Sequence, residues 1–223
     1  MPCAYLIAGA GRSTSPRSVR YHHDCVAAIG VARPTIAYVG AAAGDDPGFA
    51  ARVQALVFGR AARVIAIELT TRTRTSTLRA RLAAADLVFF TGGDVERGMA
   101  LVDERGLAPY LRALAAQGKP MEGLSAGAIL LGRWWIRFPA RGEPEPFACL
   151  GIAPGAFDTH GERDGWSELV ELARRVRGER VVYGIPSHGA ARWDGDALHA
   201  LGKPLARFRC GARPRRIADL VPS

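Results

Sequence analysis

The chain alternates between short apolar runs and longer amphipathic stretches. The apolar runs are bounded by Gly, Pro or Asp and predict buried strands at residues 4–8, 35–39, 64–69, 86–91 and 181–185. Stretches rich in Ala, Leu and Arg with helical spacing lie between them, at residues 49–58, 77–84, 107–116 and 167–176. Strands that alternate with helices are typical of a parallel sheet covered on both faces, so the pattern predicts a doubly wound α/β fold.

The composition fits one domain over residues 1–223, because 48% of the residues are hydrophobic and can bury a sizeable core. No apolar stretch approaches the ~20 residues of a membrane span, and no export leader is apparent, so no membrane partner is expected. The cysteines, at positions 3, 25, 149 and 210, are scattered without a CxxC pair. We therefore expect reduced thiols in the cytoplasm, with neither a zinc site nor a disulfide framework.

The formal charge of +9 raises nucleic acid as a partner. Only Lys119 and Lys203 are lysines, however, and the arginines are spread along the whole chain. We therefore expect no nucleic-acid binding and interpret the basic segment 203–216 as a solvated face, although attraction of a small anionic substrate stays open. The glycine-rich fragment at residues 8–12 lacks the third glycine of a dinucleotide fingerprint, so no cofactor is expected.

The sequence Gly-Leu-Ser-Ala-Gly at residues 123–127 matches the G-x-S-x-G nucleophile elbow. It joins a predicted short strand to a predicted helix that begins at Ala126. In such a turn the serine has a strained backbone, and the flanking glycines let neighbouring chain approach closely. Ser125 is therefore the candidate nucleophile, the alternative being a serine in an ordinary strand-to-helix turn.

A second glycine turn, Thr-Gly-Gly-Asp at residues 91–94, ends the strand predicted at 86–91. If that strand neighbours the strand before Ser125, the N–H groups of Gly93 and Ala126 converge on one oxyanion. The alternative is a tight turn that uses glycine for a positive φ. Asp94 is suited to cap the following helix and is also a candidate substrate-binding residue.

A serine nucleophile needs a base within hydrogen-bond reach, and the chain has five histidines. His22 and His23 are adjacent in a predicted helix and point ~100° apart, so we expect both at the surface. His199 is interpreted as structural. The contenders are His160 and His188, each placed where an apolar strand gives way to a loop.

These blocks resemble the family of serine peptidases that contains dipeptidase E and cyanophycinase. The residues concerned are Gly-Leu-Ser-Ala-Gly-Ala at 123–128, Phe-Phe-Thr-Gly-Gly-Asp at 89–94, Phe-Asp-Thr-His at 157–160 and Gly-Ile-Pro at 184–186. Their order and spacing agree with the family from the first strand to about residue 192. The elbow is the most specific of them.

The resemblance implies a flavodoxin-like fold of the class I glutamine amidotransferase kind, with Ser125 as nucleophile and His160 as base. It also implies hydrolysis of small peptides that begin with an acidic residue, or of related aspartyl peptides, without a metal or cofactor. A homodimer stays open. Arg163 resembles the arginine that follows the histidine in the family and could hold an acidic side chain, the alternative being an ion pair with Glu162 or Asp164.

The chain departs from the family pattern in several places. Gly161 follows the histidine where relatives have Phe, and Ser187 stands where relatives have Glu. The acidic triad member has no clear Asp counterpart. Glu143, in the proline-rich segment 139–146 that we interpret as a surface loop, is the candidate, and a Ser–His dyad is the alternative.

Two other functions are compatible with the same sequence. One is an α/β-hydrolase esterase that uses the elbow with His188. The other is a non-catalytic binding or regulatory domain whose site has drifted, which the missing Asp and Ser187 favour.

Overall fold

A computed structural model describes residues 3–9, 16–59 and 62–222, so residues 10–12 of the glycine-rich fragment lie outside the described residues. The helices of the described residues are α1 (Pro16–Ala28), α2 (Pro47–Val53), α3 (Thr75–Ala84), α4 (Val95–Glu104), α5 (Ala108–Ala116), α6 (Ala126–Leu131) and α7 (Ser167–Arg175). Short 3-10 turns occupy Ala41–Ala43 and Gly161–Asp164, and a π-helical turn occupies Gln54–Phe58. No helix in these ranges has the length and apolar character needed to cross a membrane.

The strands of the same residues are β1 (Ala4–Ile7), β2 (Thr35–Val39), β3 (Arg63–Ile67), β4 (Leu87–Phe90), β5 (Met121–Leu124), β6 (Trp134–Arg137), β7 (Glu145–Ala148), β8 (Ala156–Thr159), β9 (Val181–Ile185), β10 (Ala190–Trp193), β11 (Leu198–Leu201), β12 (Leu205–Arg209) and β13 (Arg215–Leu220). Seven of them form a central sheet in the order β11-β10-β1-β5-β4-β2-β3. Strands β1 to β5 are parallel, and β10 and β11 form an antiparallel edge. The predicted mostly parallel α/β sheet is confirmed.

Helices cover both faces of the central sheet because its parallel strands are apolar on both sides. In β4, Leu87 and Phe89 belong to the core that also holds residues of α1 and α2. Val88 and Phe90 belong to the core that holds residues of α3 to α6. This alternation of side chains across one strand is the physical basis of the doubly wound architecture.

A second sheet, of order β13-β12-β9-β8, lies beside α6. The strand predicted at 181–185 is present as β9, but it pairs with β8 and β12 rather than with the central sheet. Backbone hydrogen bonds join α6 and its C-terminal turn to the segment that leads into β8: Arg133 N–H donates to Gly155 O at 2.8 Å, and Ile152 N–H donates to Leu131 O at 2.9 Å. The segment that leads into the second sheet is thus attached to α6, the helix that follows the elbow.

The proline-rich segment 139–146 is only partly a loop. Its last residues begin β7, which pairs with β6 so that Pro146 lies opposite Ile136. Proline is tolerated here because β7 belongs to a two-stranded ribbon, in which each strand is an edge strand.

His22 is buried, and the expectation that it lies at the surface is wrong. Its side chain has 0% exposure, and its Nδ1 contacts Oε1 of Glu122 on β5, which also has 0% exposure. Ser18, His22 and Cys25 are all buried and follow the helical period, so they form the stripe of α1 that faces the sheet. His23 points elsewhere and is exposed.

Candidate active site

Ser125 occupies a strained turn between β5 and α6. Its backbone angles are φ 52° and ψ −115°, which side-chain-bearing residues rarely adopt. The turn is fixed on both sides: Ser125 N–H donates to Ile7 O at 2.8 Å, and Ser125 O accepts from Ala128 N–H at 2.8 Å. These bonds hold the serine at the carboxyl end of β5, where ligands bind in sheets of this kind.

The two glycines of the elbow allow backbone segments to touch. A Cβ on Gly123 would lie 2.3 Å from Gly127 O, and a Cβ on Gly127 would lie 2.1 Å from Phe90 O. Neither contact is sterically allowed for a residue with a side chain. The close approach expected at this motif is therefore present, and it brings the start of α6 against the end of β4.

His160 completes the arrangement from the second sheet. It follows β8 in the left-handed region, with φ 51°, and its N–H donates to Ile185 O at the end of β9 at 2.9 Å. Its Nε2 lies 2.9 Å from Ser125 Oγ. This is hydrogen-bond distance, so the imidazole can accept the hydroxyl proton when Nε2 is unprotonated.

His188, the other contender, is not among the residues that line the pocket at Ser125. Its backbone N–H donates to Gly9 O at 2.9 Å. His199 binds Asp194, with 2.5 Å between Nε2 and Oδ2, next to the edge of the central sheet, in agreement with its structural interpretation.

The two glycine-rich turns meet because β4 and β5 are neighbours, with Phe90 opposite Gly123. Gly93 has φ 142°, and a Cβ there would lie 2.1 Å from Ala42 O. Gly93 and Ala126 both line the pocket that contains Ser125. The two turns are thus adjacent, as a shared oxyanion site requires.

The three remaining candidates are placed differently. Asp94 lines the pocket and caps α4, because its Oδ1 accepts from Arg97 N–H at 2.8 Å. Arg163 is exposed in the 3-10 turn after His160 and lies outside the pocket lining.

Glu143 also lies outside the pocket lining: its side chain is 81% exposed, and its Oε2 lies 2.5 Å from Arg175 NH2. The structure therefore does not bring Glu143 to His160, because the loop turns its carboxylate toward α7.

A pocket of about 490 Å³ opens at the dyad. Its lining consists of Gly93, Asp94, Val95, Glu96, Ser125, Ala126, Ile129, Trp135, Ile136, Arg137, Phe138, Asp158, Thr159, His160, Gly161, Asp164 and Glu168. Strand β6 and Phe138 after it thus supply an aromatic and aliphatic side, and the segment from β8 to α7 supplies a polar one. No group of three His, Cys, Asp or Glu side chains suited to a metal is found in the described residues.

Asp158 is the most perturbed acid of the pocket. Burial raises its pKa from 3.8 to about 7, the bond from Thr159 N–H lowers it, and the charges of Glu168, Asp164 and Glu162 raise it further. Sequence reasoning missed Asp158, Asp164 and Glu168 as site residues. A signal existed for Asp158, since it lies in the same Phe-Asp-Thr-His block as His160.

Known proteins resemble the chain in sequence and in fold. The sequence model of peptidase family S51 matches residues 5–201. No curated protein matches the chain.

Two solved structures share the fold. The crystal structure of a peptidase from an acI-B1 Actinobacterium is similar with a TM-score of 0.75 and 14% identity, covering 99% of this chain and 97% of that chain. A structure described as a peptidase E protein from Listeria monocytogenes EGD-e has a TM-score of 0.63 and 13% identity, covering 98% of this chain and 100% of that chain. At such identities the likeness reports on the fold alone.

Proposed function

This chain belongs to peptidase family S51, and on that premise we propose that it hydrolyses small peptides through an acyl-enzyme formed on Ser125. Membership of the family makes it a serine-type peptidase. The observation that carries the choice of residues is the 2.9 Å separation of Ser125 Oγ and His160 Nε2 at a strained elbow. This pairing also favours the peptidase reaction over an esterase that would use His188.

The proposed reaction starts with attack of Ser125 Oγ on the scissile carbonyl while His160 Nε2 accepts the hydroxyl proton. The N–H groups of Gly93 and Ala126 stabilise the oxyanion that develops, each donor contributing about 10²–10³ in rate. His160 then gives the proton to the leaving amine, and the peptide C–N bond breaks. Water, deprotonated by His160, hydrolyses the ester and restores the free serine.

The dyad works in this proposal without a third member from the proline-rich loop. Glu143 stays a candidate by resemblance, and Glu143→Gln tests it. Because Arg175 rather than His160 holds its carboxylate, we expect kcat and KM to change less than about threefold. A loss of a hundredfold or more in kcat would restore Glu143 to the triad.

Peptides that begin with aspartate remain a prediction of the resemblance, and the charges of the pocket give it little support. Arg137 is the one arginine or lysine in the described lining, and its Nε lies 3.6 Å from Glu96 Oε1. Arg163, the other candidate for an acidic side chain, is exposed outside the lining.

The nucleophile is tested with a fluorophosphonate, which forms a covalent bond to an activated serine. We expect peptide mapping by mass spectrometry to place the adduct on Ser125, and Ser125→Ala to abolish labelling. If a known serine hydrolase is labelled under the same conditions and Ser125 is not, the chain is a non-catalytic member of its family.

We also propose that the protein works in the cytoplasm, since its four cysteines are free thiols, which persist in reducing compartments. Fractionation of cells that express it tests this location.

A further inference from the structure

A second pocket, of about 240 Å³, lies between α2 and the edge strand β3. We call it the α2 pocket, and its lining includes Tyr38, Asp45, Pro47, Gln54, Val64 and Glu68. It shares no lining residue with the pocket at Ser125. Asp45 lies in the loop after β2 and Glu68 directly follows β3, so the pocket reaches the carboxyl ends of both strands, where ligands bind in sheets of this kind. A single ordered water needs only about 15 Å³, so the pocket has room for a larger occupant.

Tyr38 is the buried polar residue of the α2 pocket. It is 3% exposed, its ring stacks on Phe89 with the centroids 5.7 Å apart, and its hydroxyl has no hydrogen-bond partner in the described residues. Burial raises the pKa of Tyr38 and the nearby Thr91 hydroxyl lowers it, but Thr91 Oγ1 likewise lacks a hydrogen-bond partner there. A buried hydroxyl without a partner is costly, because it has lost its hydrogen bonds to water.

Asp45 adds a second unfilled acceptor beside Tyr38. Its Oδ2 accepts from Leu69 N–H at 2.6 Å and from Thr70 N–H at 2.8 Å, whereas its Oδ1 is buried and accepts no bond from the part of the chain that the structure describes. Oδ1 lies 2.8 Å, and Tyr38 Cε1 lies 3.1 Å, from the position that a Cβ on Gly40 would occupy. The two side chains therefore meet, and one donor group can serve both.

The charge of the α2 pocket determines which ligand it attracts. Asp45 and Glu68 both line the pocket, and neither forms a salt bridge with a described residue. No Lys, Arg or His is in the described lining. Arg52, whose charge acts on Tyr38, stacks on Phe49 instead, with its Cζ 5.6 Å from the ring centroid. Carboxylates that lack an ion pair attract a positively charged ligand.

We propose that the α2 pocket binds a primary ammonium group carried by a short alkyl chain. Because Oδ2 of Asp45 is occupied, the two-oxygen contact that suits a guanidinium is unavailable, whereas an ammonium donates to single oxygens. Pro47, Ala50 and Val64 supply apolar surface for the chain. A free amino acid fits less well, since its carboxylate would lie near that of Glu68. This site goes beyond the proposed peptidase function and does not depend on it.

The test follows backbone amide signals in ¹⁵N NMR spectra while n-butylammonium chloride is added to the full chain at constant ionic strength. The amides of Leu69 and Thr70 report on the α2 pocket, because they donate to the carboxylate of Asp45. The amides of Gly93 and Ala126 report on the catalytic pocket. The neutral control is 1-butanol, which has the same chain and number of heavy atoms, and the anionic control is butyrate.

We expect saturable shifts of the Leu69 and Thr70 signals with n-butylammonium. The dissociation constant of 1-butanol should be about tenfold higher, since it cannot form a charge-assisted hydrogen bond, and butyrate should cause no saturable shift. Equal affinity for n-butylammonium and 1-butanol would overturn the proposal. So would shifts confined to Gly93 and Ala126, which would assign the ligand to the catalytic pocket.

Tyr38→Phe removes the buried hydroxyl and keeps the ring on Phe89. We expect the affinity for n-butylammonium to fall about fivefold, whereas the Tm of the ligand-free protein should not fall, because no hydrogen bond is lost. A hydroxyl with a purely structural role would give a lower Tm and an unchanged affinity, and either result contradicts the site. Tyr5→Phe is the matched control: Tyr5 belongs to the same core cluster but lies outside the α2 pocket, so the affinity should be unchanged.

Glu68→Gln tests the role of charge. We expect it to lower the affinity for n-butylammonium about threefold and to leave that for 1-butanol unchanged, since only the cation interacts with the lost charge. Glu104→Gln, at the end of α4 outside the α2 pocket, is the control and should alter neither affinity. An unchanged affinity for n-butylammonium in Glu68→Gln would contradict the assigned ligand charge.

The binding site and the peptidase proposal fail separately. Ser125→Ala should bind n-butylammonium with the affinity of the wild-type protein, and a lower affinity would contradict a separate site. If Ser125 is labelled by the fluorophosphonate and the Leu69 and Thr70 signals do not shift, only the binding site is overturned. If those signals shift and Ser125 is not labelled, only the peptidase proposal is overturned.

Discussion

Replacement of His160 by alanine is expected to lower kcat/KM by about 10⁴-fold or more, because the serine loses the group that accepts its proton. No other histidine lines the described pocket to replace it. The measurement is steady-state hydrolysis of a small peptide substrate by the wild-type protein and the variant. Circular dichroism and thermal unfolding should show a folded protein, since His160 is exposed and its backbone bond to Ile185 does not need the imidazole.

The matched control is His188→Ala. Both histidines follow strands of the described residues and both have positive φ, 51° at His160 and 62° at His188, so the backbone consequences of the two substitutions are comparable. We expect His188→Ala to retain activity within about threefold. The opposite pattern, with His160→Ala active and His188→Ala inactive, would support the esterase-type alternative.

Alanine at position 127 is expected to destabilise the protein by about 3 kcal/mol or more, a large part of the stability of a typical domain. The added Cβ would lie 2.1 Å from Phe90 O and 2.6 Å from Phe90 C, so β4 and α6 would have to separate. Helix propensity alone would make the substitution stabilising, because alanine in a helix is favoured over glycine by about 1 kcal/mol. Loss of stability would thus identify the steric contact as the dominant effect. Chemical denaturation of the variant measures it.

Gly48→Ala serves as the comparison because it makes the same change in α2. The nearest atom to its Cβ is Asp46 Oδ1 at 3.3 Å, the far end of a side chain that can adjust. We expect a change in stability within about 1 kcal/mol. If Gly127→Ala were equally mild, the close approach of the elbow to β4 would not be a requirement of the fold. Residual activity of a folded Gly127→Ala protein should also be low, because a shift of about 1 Å between Gly93 and Ala126 misaligns the oxyanion donors.

The central sheet could be predicted from sequence because its strands are apolar on both faces and are separated by helical stretches. The run at 181–185 has the same composition but lies in the second sheet, where it pairs with β8. The sequence could not predict this, because an apolar run indicates a buried strand but does not identify its partner. His22 shows a related limit. Its spacing places it on the same face of α1 as Ser18 and Cys25. Its buried partner Glu122, however, lies 100 positions away, so the sequence near His22 does not indicate it.

The nucleophile, the base and both oxyanion donors could be proposed from local motifs, because each motif has its own conformational signature. The third triad member could not. Glu143 is in the expected segment, but the direction of its side chain depends on Arg175, which the loop sequence does not encode. The acidic residues of the pocket, Asp158, Asp164 and Glu168, come from β8, the 3-10 turn and α7, so they meet only when these segments pack.

The dyad is divided between two sheets, with Ser125 at the end of β5 and His160 at the end of β8. Its geometry therefore depends on the contact in which Arg133 N–H, in the turn after α6, donates to Gly155 O, in the segment that leads into β8. Turnover in this protein therefore depends on how its two sheets are aligned, as it would if they were two subunits. A shift of about 1 Å between the two sheets would lower turnover by about a hundredfold, although each sheet kept its own structure.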